Sequence, residues 1–408
     1  MGLAGFITSK VLGRGSESKK SENTLTRVSM VAIALGMAIM TISIMVVTGF
    51  KREIEQKVRG FGADVRITEF GSNDSYTETP VNASELQKKL AGISGIQNVQ
   101  SYASKAGIIK TESDILGIVL KGVDLKYDLS FIAKHLETGR LPRIGQGDSG
   151  SVKEVAISSQ VASAMRIKTN DTITIYFIED PPRVRKMAIT GIYNTGLGEF
   201  DKLYGFCDIQ VVRKLNGWDE NQAGGVEVIL RDGIKNQDKI KEIHSKASFA
   251  YQAISIEELY PQIFNWLDLQ NTNVVIIIIL IMAVSGVSMV STLLIIILNR
   301  TRMIGVLKAI GAKDALIRNV FIRLSLPIIA KGLFFGNIIG VGLCWLQSQY
   351  GFIKLSEESY YVSKVPVHIS ILDLALLNLG TLLVCLLMLI GPSLIIAGIR
   401  PSKTLRFE

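Results

Sequence analysis

Catalysis needs acids, bases, nucleophiles or metal ligands at a workable spacing, and this chain of 408 residues offers few. Its three histidines, His135, His244 and His368, are scattered and share no general-base or metal-ligand spacing. Each reads as a structural or exposed side chain. Ser158, Ser159 and Asp201 supply hydroxyls and a carboxylate, but no GxSxG turn or paired histidine accompanies them. No GxxxxGK[ST] loop is present to cradle nucleotide phosphates, and no HExxH, CxxC or EF-hand pattern to hold a metal. The expectation is no catalytic residue, no metal site and no cofactor bound by this chain. One stretch does stand out, and its chemistry is that of docking. Residues 299–312 read NRTRMIGVLKAIGA. Met303, Val306, Leu307 and Ile310 fall at i, i+3, i+4 and i+7, one face of a helix. Arg300, Arg302 and Lys308 supply positive charge. Gly311 suits a helix C-terminus because it adopts φ > 0 without a Cβ clash, and Asp314 can open the next helix. Two readings fit: a positive loop lying on lipid headgroups, or a short helix inserted into a partner protein.

The elements that position this stretch are apolar. Hydrophobic residues make up 48% and charged residues 20% of the chain. Four runs are nearly free of charge: 28–47, 274–298, 327–345 and 374–397. Each is roughly 19–25 residues long, and about 20 residues at ~1.5 Å rise cross a ~30 Å hydrocarbon core. The run IIIILIMAVSGVSMVSTLLIIIL is apolar all round, which is hard to bury without lipid. The net charge of +9 does not indicate nucleic-acid binding, because much of the basic excess lies beside the apolar runs. Lys10, Arg14, Lys19, Lys20 and Arg27 flank the first; Arg300, Arg302, Lys308, Lys313, Arg318 and Arg323 follow the second; Arg400, Lys403 and Arg406 follow the last. This positive-inside pattern places both termini and the 299–325 loop in the cytoplasm. Lys51, Arg52, Lys57 and Arg59 oppose it, but long domains translocate largely regardless of their charge. The first apolar run starts too late and is too long for a cleavable signal, so it reads as a retained span. Cys344 and Cys385 lie in apolar runs, and Cys207 is alone in the soluble region, which leaves that region no internal disulfide.

The expected fold class is membrane α-helical, with four transmembrane helices and a large two-lobed α+β extracytoplasmic domain between the first and second spans. The expected layout is a cytoplasmic segment 1–27, span 28–48, outer domain 49–272, span 273–298, cytoplasmic helix and loop 299–325, span 326–349, outer loop 350–370, span 371–397 and a cytoplasmic end 398–408. In segment 1–27, Leu3, Phe6, Ile7 and Val11 fit either a short interfacial helix or a disordered tail. Phe50, Ile54, Val58 and Phe61 continue the first helix as a stalk that Gly60 and Gly62 end. Ile256, Leu259, Ile263 and Leu267 mark a second stalk leading into the second span. Strands are expected at 64–68, 107–110 and 115–120, with a helix at 84–90 capped by Asn82 or Ser84. A β-rich lobe follows, with a strand at 154–158, a helix at 159–165 and strands at 172–178, 186–193 and 225–230. In the third span Gly332, Gly336 and Gly340 form a small-xxx-small face, predicted to pack on another helix. Lys331 lies near its cytoplasmic end and is read as snorkelling.

RTRMIGVLKAIGA closely resembles the coupling-helix signature of permeases in the MacB/FtsX/LolC-LolE class of ABC transporters. EVAISSQVASAMRIKTNDTITI and AITGIYNTGLGEFDKLYGFCDI resemble that class's outer domain, in which a porter-like α+β lobe is interrupted by a β-rich lobe. The porter-like lobe is expected at about 62–150 and 235–255, and the β-rich lobe at about 151–234. The segment SYYVSKVPVHIS (359–370) resembles the one preceding the last span in lipoprotein-releasing permeases, and IRPSKTLRFE the class's short cytoplasmic end. The resemblance implies a bacterial inner-membrane permease coupled through Arg300, Thr301, Arg302, Met303, Ile304, Gly305, Val306, Leu307, Lys308, Ile310 and Gly311 to a separate cytoplasmic ABC ATPase dimer, which carries the ATP and Mg. A second permease copy or paralogue would complete it. The implied substrate is a lipoprotein taken from the outer leaflet, and a periplasmic carrier is a further implied partner.

A cavity between the stalks would be lined by Met45, Val46, Phe50, Ile54, Phe264 and Leu267, able to shelter acyl chains at ~0.8 kcal/mol per buried CH₂; equally, these residues can simply hold the stalks together. The permease that recruits the carrier has a hook-like hairpin, whose counterpart here, 178–184 (IEDPPRV), is short. Two rivals remain open: an FtsX-like signalling scaffold that regulates a cell-wall hydrolase, and a MacB-type efflux mechanotransmitter. The orientation is testable: a cysteine engineered near Ser149 should react with an impermeant reagent in intact cells, whereas reaction only after lysis overturns it.

Overall fold

The computed structural model describes residues 19–72, 78–111, 114–145, 153–179, 181–231, 237–248 and 250–394. The expected helix at Leu3–Val11, the IRPSKTLRFE end, Ser149 and Asp180 of the short hairpin lie outside them. The described chain divides into two compact units. One holds residues up to Lys51, Trp266–Ile353 and from Lys364 onward; the other holds Arg52–Asn265 and Lys354–Ser363.

The membrane unit contains the apolar helices. Among the described residues four are long and apolar enough to cross a bilayer: Arg27–Gly62, Pro261–Asn299, Asp314–Tyr350 and Ile371–Pro392. The first of these belongs to an unbroken helix, Lys19–Gly62. The second stalk, marked by Ile256, Leu259, Ile263 and Leu267, is not one continuous helix. Ile256–Leu259 is a separate turn, Tyr260 leaves the helical region at φ −124° and ψ 58°, and a new helix starts at Pro261. Proline pushes the preceding residue out of the α region and is itself well placed at the first helical position. The apolar spacing of Ile256 and Leu259 is therefore real, but it belongs to a different axis.

Lipid tails are as apolar as leucine, so contacts between spans rest on close backbone approach and on hydrogen bonds. The glycine face of the third span packs on the first. A Cβ at Gly332 would lie 2.7 Å from Ile33 Cγ2, one at Gly336 2.6 Å from the Ala34 carbonyl oxygen, and one at Gly340 2.8 Å from Thr41 Cβ. The sequence does not reveal the link between the third and fourth spans, a reciprocal amide pair. Asn337 Nδ2 donates to Asn378 Oδ1 at 2.7 Å, and Asn378 Nδ2 returns a bond at 3.2 Å. Ser29 and Thr292 join the first and second spans through their hydroxyls. Lys331 lies on an exposed face of its helix.

The soluble unit carries the strands: β1 (Val65–Glu69), β2 (Val81–Asn82), β3 (Ile96–Lys110), β4 (Ile115–Val123), β5 (Leu136–Gly139), β6 (Lys153–Ser158), β7 (Thr172–Phe177), β8 (Arg183–Tyr193), β9 (Tyr204–Asp208), β10 (Gln222–Ala223), β11 (Gly225–Leu230) and β12 (Tyr251–Ser255). All but β2 and β10 form one sheet, in the order β12-β1-β11-β3-β4-β9-β6-β8-β5, with β7 pairing both β3 and β8. The pairings β3–β4–β9–β6–β8–β7 and back to β3 close into a ring. One buried cluster runs through the whole unit, from Val65, Leu86 and Val228 to Ile157, Ile175 and Ile189. The helix Ala83–Leu90 is capped by Asn82, whose side chain accepts from the Glu85 amide at 3.2 Å.

The expected lobe boundaries do not follow this sheet. Strand β11 was placed with the β-rich lobe at 151–234, yet it pairs with β1 and β3 of the open sheet. Strand β5, placed before 150, pairs instead with β8. The two lobes share β3: its residues 96–102 pair with β11, while Ile108 and Ile109 pair with β7. The sequence pattern showed only the last four residues of this fifteen-residue strand, because NVQSYASK mixes polar with small residues on a strand buried on both sides at its centre.

Replacing Gly336 by Leu should lower the thermal midpoint of the detergent-solubilised chain, since overpacking a close contact costs about 1–3 kcal/mol. Gly342→Ala is the control, as nothing lies within 4 Å of a Cβ there. Equal midpoints for both variants would mean the third span does not need this approach.

Candidate functional site

The basic stretch after the second span forms a helix, Thr301–Ala309, with Arg300 at its N-cap position and Gly311 at φ +93° just beyond it. Successive residues advance by about 100° around the axis, and this splits the apolar face. Ile304 is fully buried, and Met303 and Leu307 pack against the buried cluster of the membrane unit. Val306 and Ile310 are 42% and 79% exposed. Thus Met303, Val306, Leu307 and Ile310 do not present one surface, as their spacing suggested. The 303/304/307 edge seats the helix on its own bundle, while the 306/310 edge, with Arg302 and Ala309 also exposed, faces outward. Gly305 is buried, Thr301 is half-buried and bonds the Leu298 carbonyl, and Lys308 pairs with Asp314 at 2.8 Å. That ion pair staples the turn at Gly311.

A second constellation, missed in the sequence, lies in the soluble unit where the first helix ends. Lys121 of β4 is only 1% exposed. Its ammonium donates to Glu227 Oε1 of β11 at 2.8 Å and to the Phe61 carbonyl, in the last turn of the first helix, at 3.1 Å. It also stands 5.2–5.6 Å from the ring centres of Phe61, Tyr102 and Tyr127, close enough for cation–π attraction. Tyr127 donates to the other Glu227 oxygen at 2.7 Å, and Arg66 adds a contact at 3.3 Å. Burial pulls the Lys121 ammonium down from its usual range, and Glu227 holds it up. The Phe61 ring packs against Phe200, Tyr204 and Phe206 at 4.8–5.5 Å, and Tyr260, at the foot of the second stalk, meets Phe200 at 4.8 Å. The Ile256 amide donates to the Asp64 carbonyl, and a capping box between Ser255 and Glu258 fixes the turn. Both stalk ends are therefore tied into one sheet. An alternation pattern could not have signalled this, since Lys121 and Glu227 look like surface charges on strands.

The basic residues that argued against the orientation have structural partners. Lys51 pairs with Asp268 at 3.3 Å in the membrane unit. In the soluble unit Arg59 pairs with Asp64 at 3.2 Å, and Lys57 donates to two carbonyls. Of the expected cavity residues, Met45 and Leu267 are buried and Val46 and Phe50 half-buried in the membrane unit; Ile54 and Phe264 are buried in the soluble unit. Ser158 and Asp201 do meet, but as structure: the Ser158 hydroxyl donates to the Asp201 carbonyl and caps the helix Ser159–Met165 by accepting from Val161 N. The Asp201 carboxylate accepts from the Thr195 amide and hydroxyl and from the Gly196 amide. His135 bonds the Phe131 carbonyl. Cys207, Cys344 and Cys385 are free and buried, and burial pushes the Cys207 thiol well up.

The architecture is that of a multi-pass membrane protein with a large α+β unit. Residues 26–245, more than half the chain, match the family described as the MacB-like periplasmic core domain, and residues 275–401 match the FtsX-like permease C-terminal family. The chain belongs to the MacB/FtsX class of ABC transporter permeases, and it is an inner-membrane protein with a large periplasmic domain. Among its relatives is the lipoprotein-releasing system transmembrane protein LolC of Xylella fastidiosa, 21% identical over 402 residues and covering 94% of both chains. LolE of Haemophilus influenzae is 22% identical over 425 residues, covering 98% of both. The solved periplasmic region of MacB from Actinobacillus actinomycetemcomitans aligns with a TM-score of 0.36 at 17% identity, over 52% of this chain and 98% of that one.

Buried carboxyls give the periplasmic domain a pH signature. Burial pushes Glu78, which accepts from the Ser104 amide at 2.6 Å, up to about 7, and Asp201 up to about 6. The folded state keeps these protons where the unfolded chain, titrating near 4.5 and 3.8, has lost them. Stability should therefore fall as pH rises from about 4.5 to about 7, by a few kcal/mol for Glu78. Thermal midpoints at pH 5 and pH 8 check this. Glu78→Gln keeps the acceptor and should flatten the slope, leaving the smaller share from Asp201. An unchanged slope refutes the assignment.

Proposed function

We propose that this chain is the permease subunit of an ATP-driven, lipoprotein-releasing transporter, working by mechanotransmission. A separate cytoplasmic ATPase dimer binds ATP and Mg and moves the 301–309 helix. A second permease copy or paralogue completes the assembly. The stalks carry the motion to the periplasmic domain, and a lipoprotein leaves the outer leaflet of the inner membrane for a periplasmic carrier. The observation that carries this reading is the extent of the likeness to LolC and LolE, which runs through spans and periplasmic domain alike over 94–98% of both chains. The exposed Val306–Ile310 edge supports it: two apolar side chains beside Arg302, at the tip of a helix seated on its own bundle, suit insertion into a protein groove.

The lipid-accepting role of Met45, Val46, Phe50, Ile54, Phe264 and Leu267 belongs to the same proposal. Ile54 and Phe264 are buried, so acyl chains would reach them only in a state that parts the stalks. Photo-crosslinkers at positions 50, 54, 264 and 267 should yield lipid or lipoprotein adducts that ATP removes.

The coupling edge can be tested separately from the seating edge. Ile310→Asp or Val306→Asp should leave expression and membrane insertion intact and abolish association with the ATPase, because a carboxylate would have to be desolvated in the groove at several kcal/mol. Met303→Asp should instead destabilise the permease itself. Co-purification and release assays in proteoliposomes distinguish these outcomes. Full lipoprotein release by Ile310→Asp would mean the helix is a surface loop.

A further inference from the structure

The third and fourth spans are joined by the outer loop expected at 350–370. Its middle belongs to the periplasmic unit: Lys354–Ser363 groups with Arg52–Asn265, while the residues on either side group with the spans. The segment is folded on itself. Leu355 N bonds the Ser363 carbonyl at 2.9 Å, Glu357–Tyr360 makes one helical turn, and Val362 is buried. Lys57 of the first stalk meets it. The Lys57 ammonium donates to the Tyr361 carbonyl at 3.0 Å and to the Thr195 carbonyl at 2.7 Å. One charge thus bridges three pieces of chain: the stalk, the 194–197 loop and the outer loop. The second and third also touch, since a Cβ at Gly196 would lie 3.5 Å from the Tyr361 carbonyl oxygen and 3.7 Å from Glu357 Cδ. Asp201 holds the 194–197 loop rigid from behind, through its bonds to Thr195 and Gly196. Burial works against the Lys57 charge, and the neighbouring carboxylates Glu53, Glu357 and Asp201 sustain it.

We propose that Lys57 is a positioning residue: a pin that locks the 354–363 segment and the 194–197 loop to the first stalk, so that the third and fourth spans are driven together with the periplasmic domain. The geometry for this is specific. A lysine that only stabilised the stalk would be satisfied by carboxylates on its own helix, such as Glu53, but here, among the described residues, the ammonium donates to backbone carbonyls of two other segments. Because 354–363 is covalently continuous with the third and fourth spans, the periplasmic unit is joined to the membrane by four chain crossings, two through the stalks and two through this segment. Its mechanical role rests on the functional reading above; its structural role does not.

Two measurements separate the two. Hydrogen exchange on the full chain in nanodiscs reads the pin with no partner present. Lys57→Met, which keeps the stem's packing, should speed exchange at the Leu355 and Tyr361 amides by about tenfold or more, as expected for losing charge-assisted bonds; Lys57→Arg should restore most of the protection. In proteoliposomes with the co-purifying ATPase, Lys57→Met should leave ATP turnover and its KM near wild type but lower lipoprotein released per ATP by about tenfold, again recovered by Lys57→Arg. Unchanged exchange in Lys57→Met overturns the proposal, as does faster exchange with unchanged release per ATP. If the wild-type complex hydrolyses ATP and releases nothing, it is the functional reading that fails. The pin is then decided by whether ATP alters exchange at 354–363 in the wild type and not in Lys57→Met; absence of that difference overturns it.

Discussion

An ammonium sealed among aromatic rings has to keep its partners, and the periplasmic domain is arranged around that constraint. Removing a lysine from water costs several kcal/mol, and breaking a buried pair by deleting one member costs about 3–5 kcal/mol. Lys121 meets the requirement with Glu227 and the Phe61 carbonyl, three groups contributed by β4, β11 and the end of the first helix. The carbonyl is one the helix terminus cannot satisfy internally, so the bond serves both sides. The consequence is mechanical. The helix that leaves the membrane does not end in a loop: its last turn is fixed to the centre of a sheet, and that sheet extends through β3 and β4 into the closed ring. The end of the first helix is thus tied to strands that run on into the closed ring.

In the membrane unit the constraint is reversed. Between spans no water is gained by association, so the hydrophobic effect contributes little and geometry takes over. The third span meets the first through glycines that admit backbone contact, and meets the fourth through two asparagines that satisfy each other. Met303, Ile304 and Leu307 continue this packing out to the cytoplasmic helix and seat it on the bundle. The short basic helix is thereby part of the same packed cluster as the spans. No catalytic constellation occurs among the described residues. Ser158 and Asp201, the pair most like a hydrolase fragment, are engaged in a helix cap and a loop.

The sequence by itself determined the four long apolar helices and the short basic helix after the second. A helix that crosses hydrocarbon needs about 20 largely apolar residues, so such runs stand out, and the small-xxx-small spacing of Gly332, Gly336 and Gly340 suits close approach. Local chemistry was readable in the Gly311 terminus, the helix at Ser159–Met165 and the cap offered by Asn82 or Ser84, of which Asn82 serves, each set by residues within about one turn of each other. What only the tertiary structure decided are features in which the partner is distant in sequence. The spacing of Met303, Val306, Leu307 and Ile310 defines a wide apolar arc, but which half faces the bundle depends on where the spans lie. The strand β3 hides its length because polar and small residues line it where both faces are covered. Strand β11 joins the first lobe although it follows the second, since pairing is a matter of register and not of order. Lys57, Lys121 and Glu227 read as solvated charges, and their partners stand 60 to 304 positions away. Periodicity reports how a residue relates to its own helix or strand; it carries no record of which other segment will come to neutralise a charge or accept its proton.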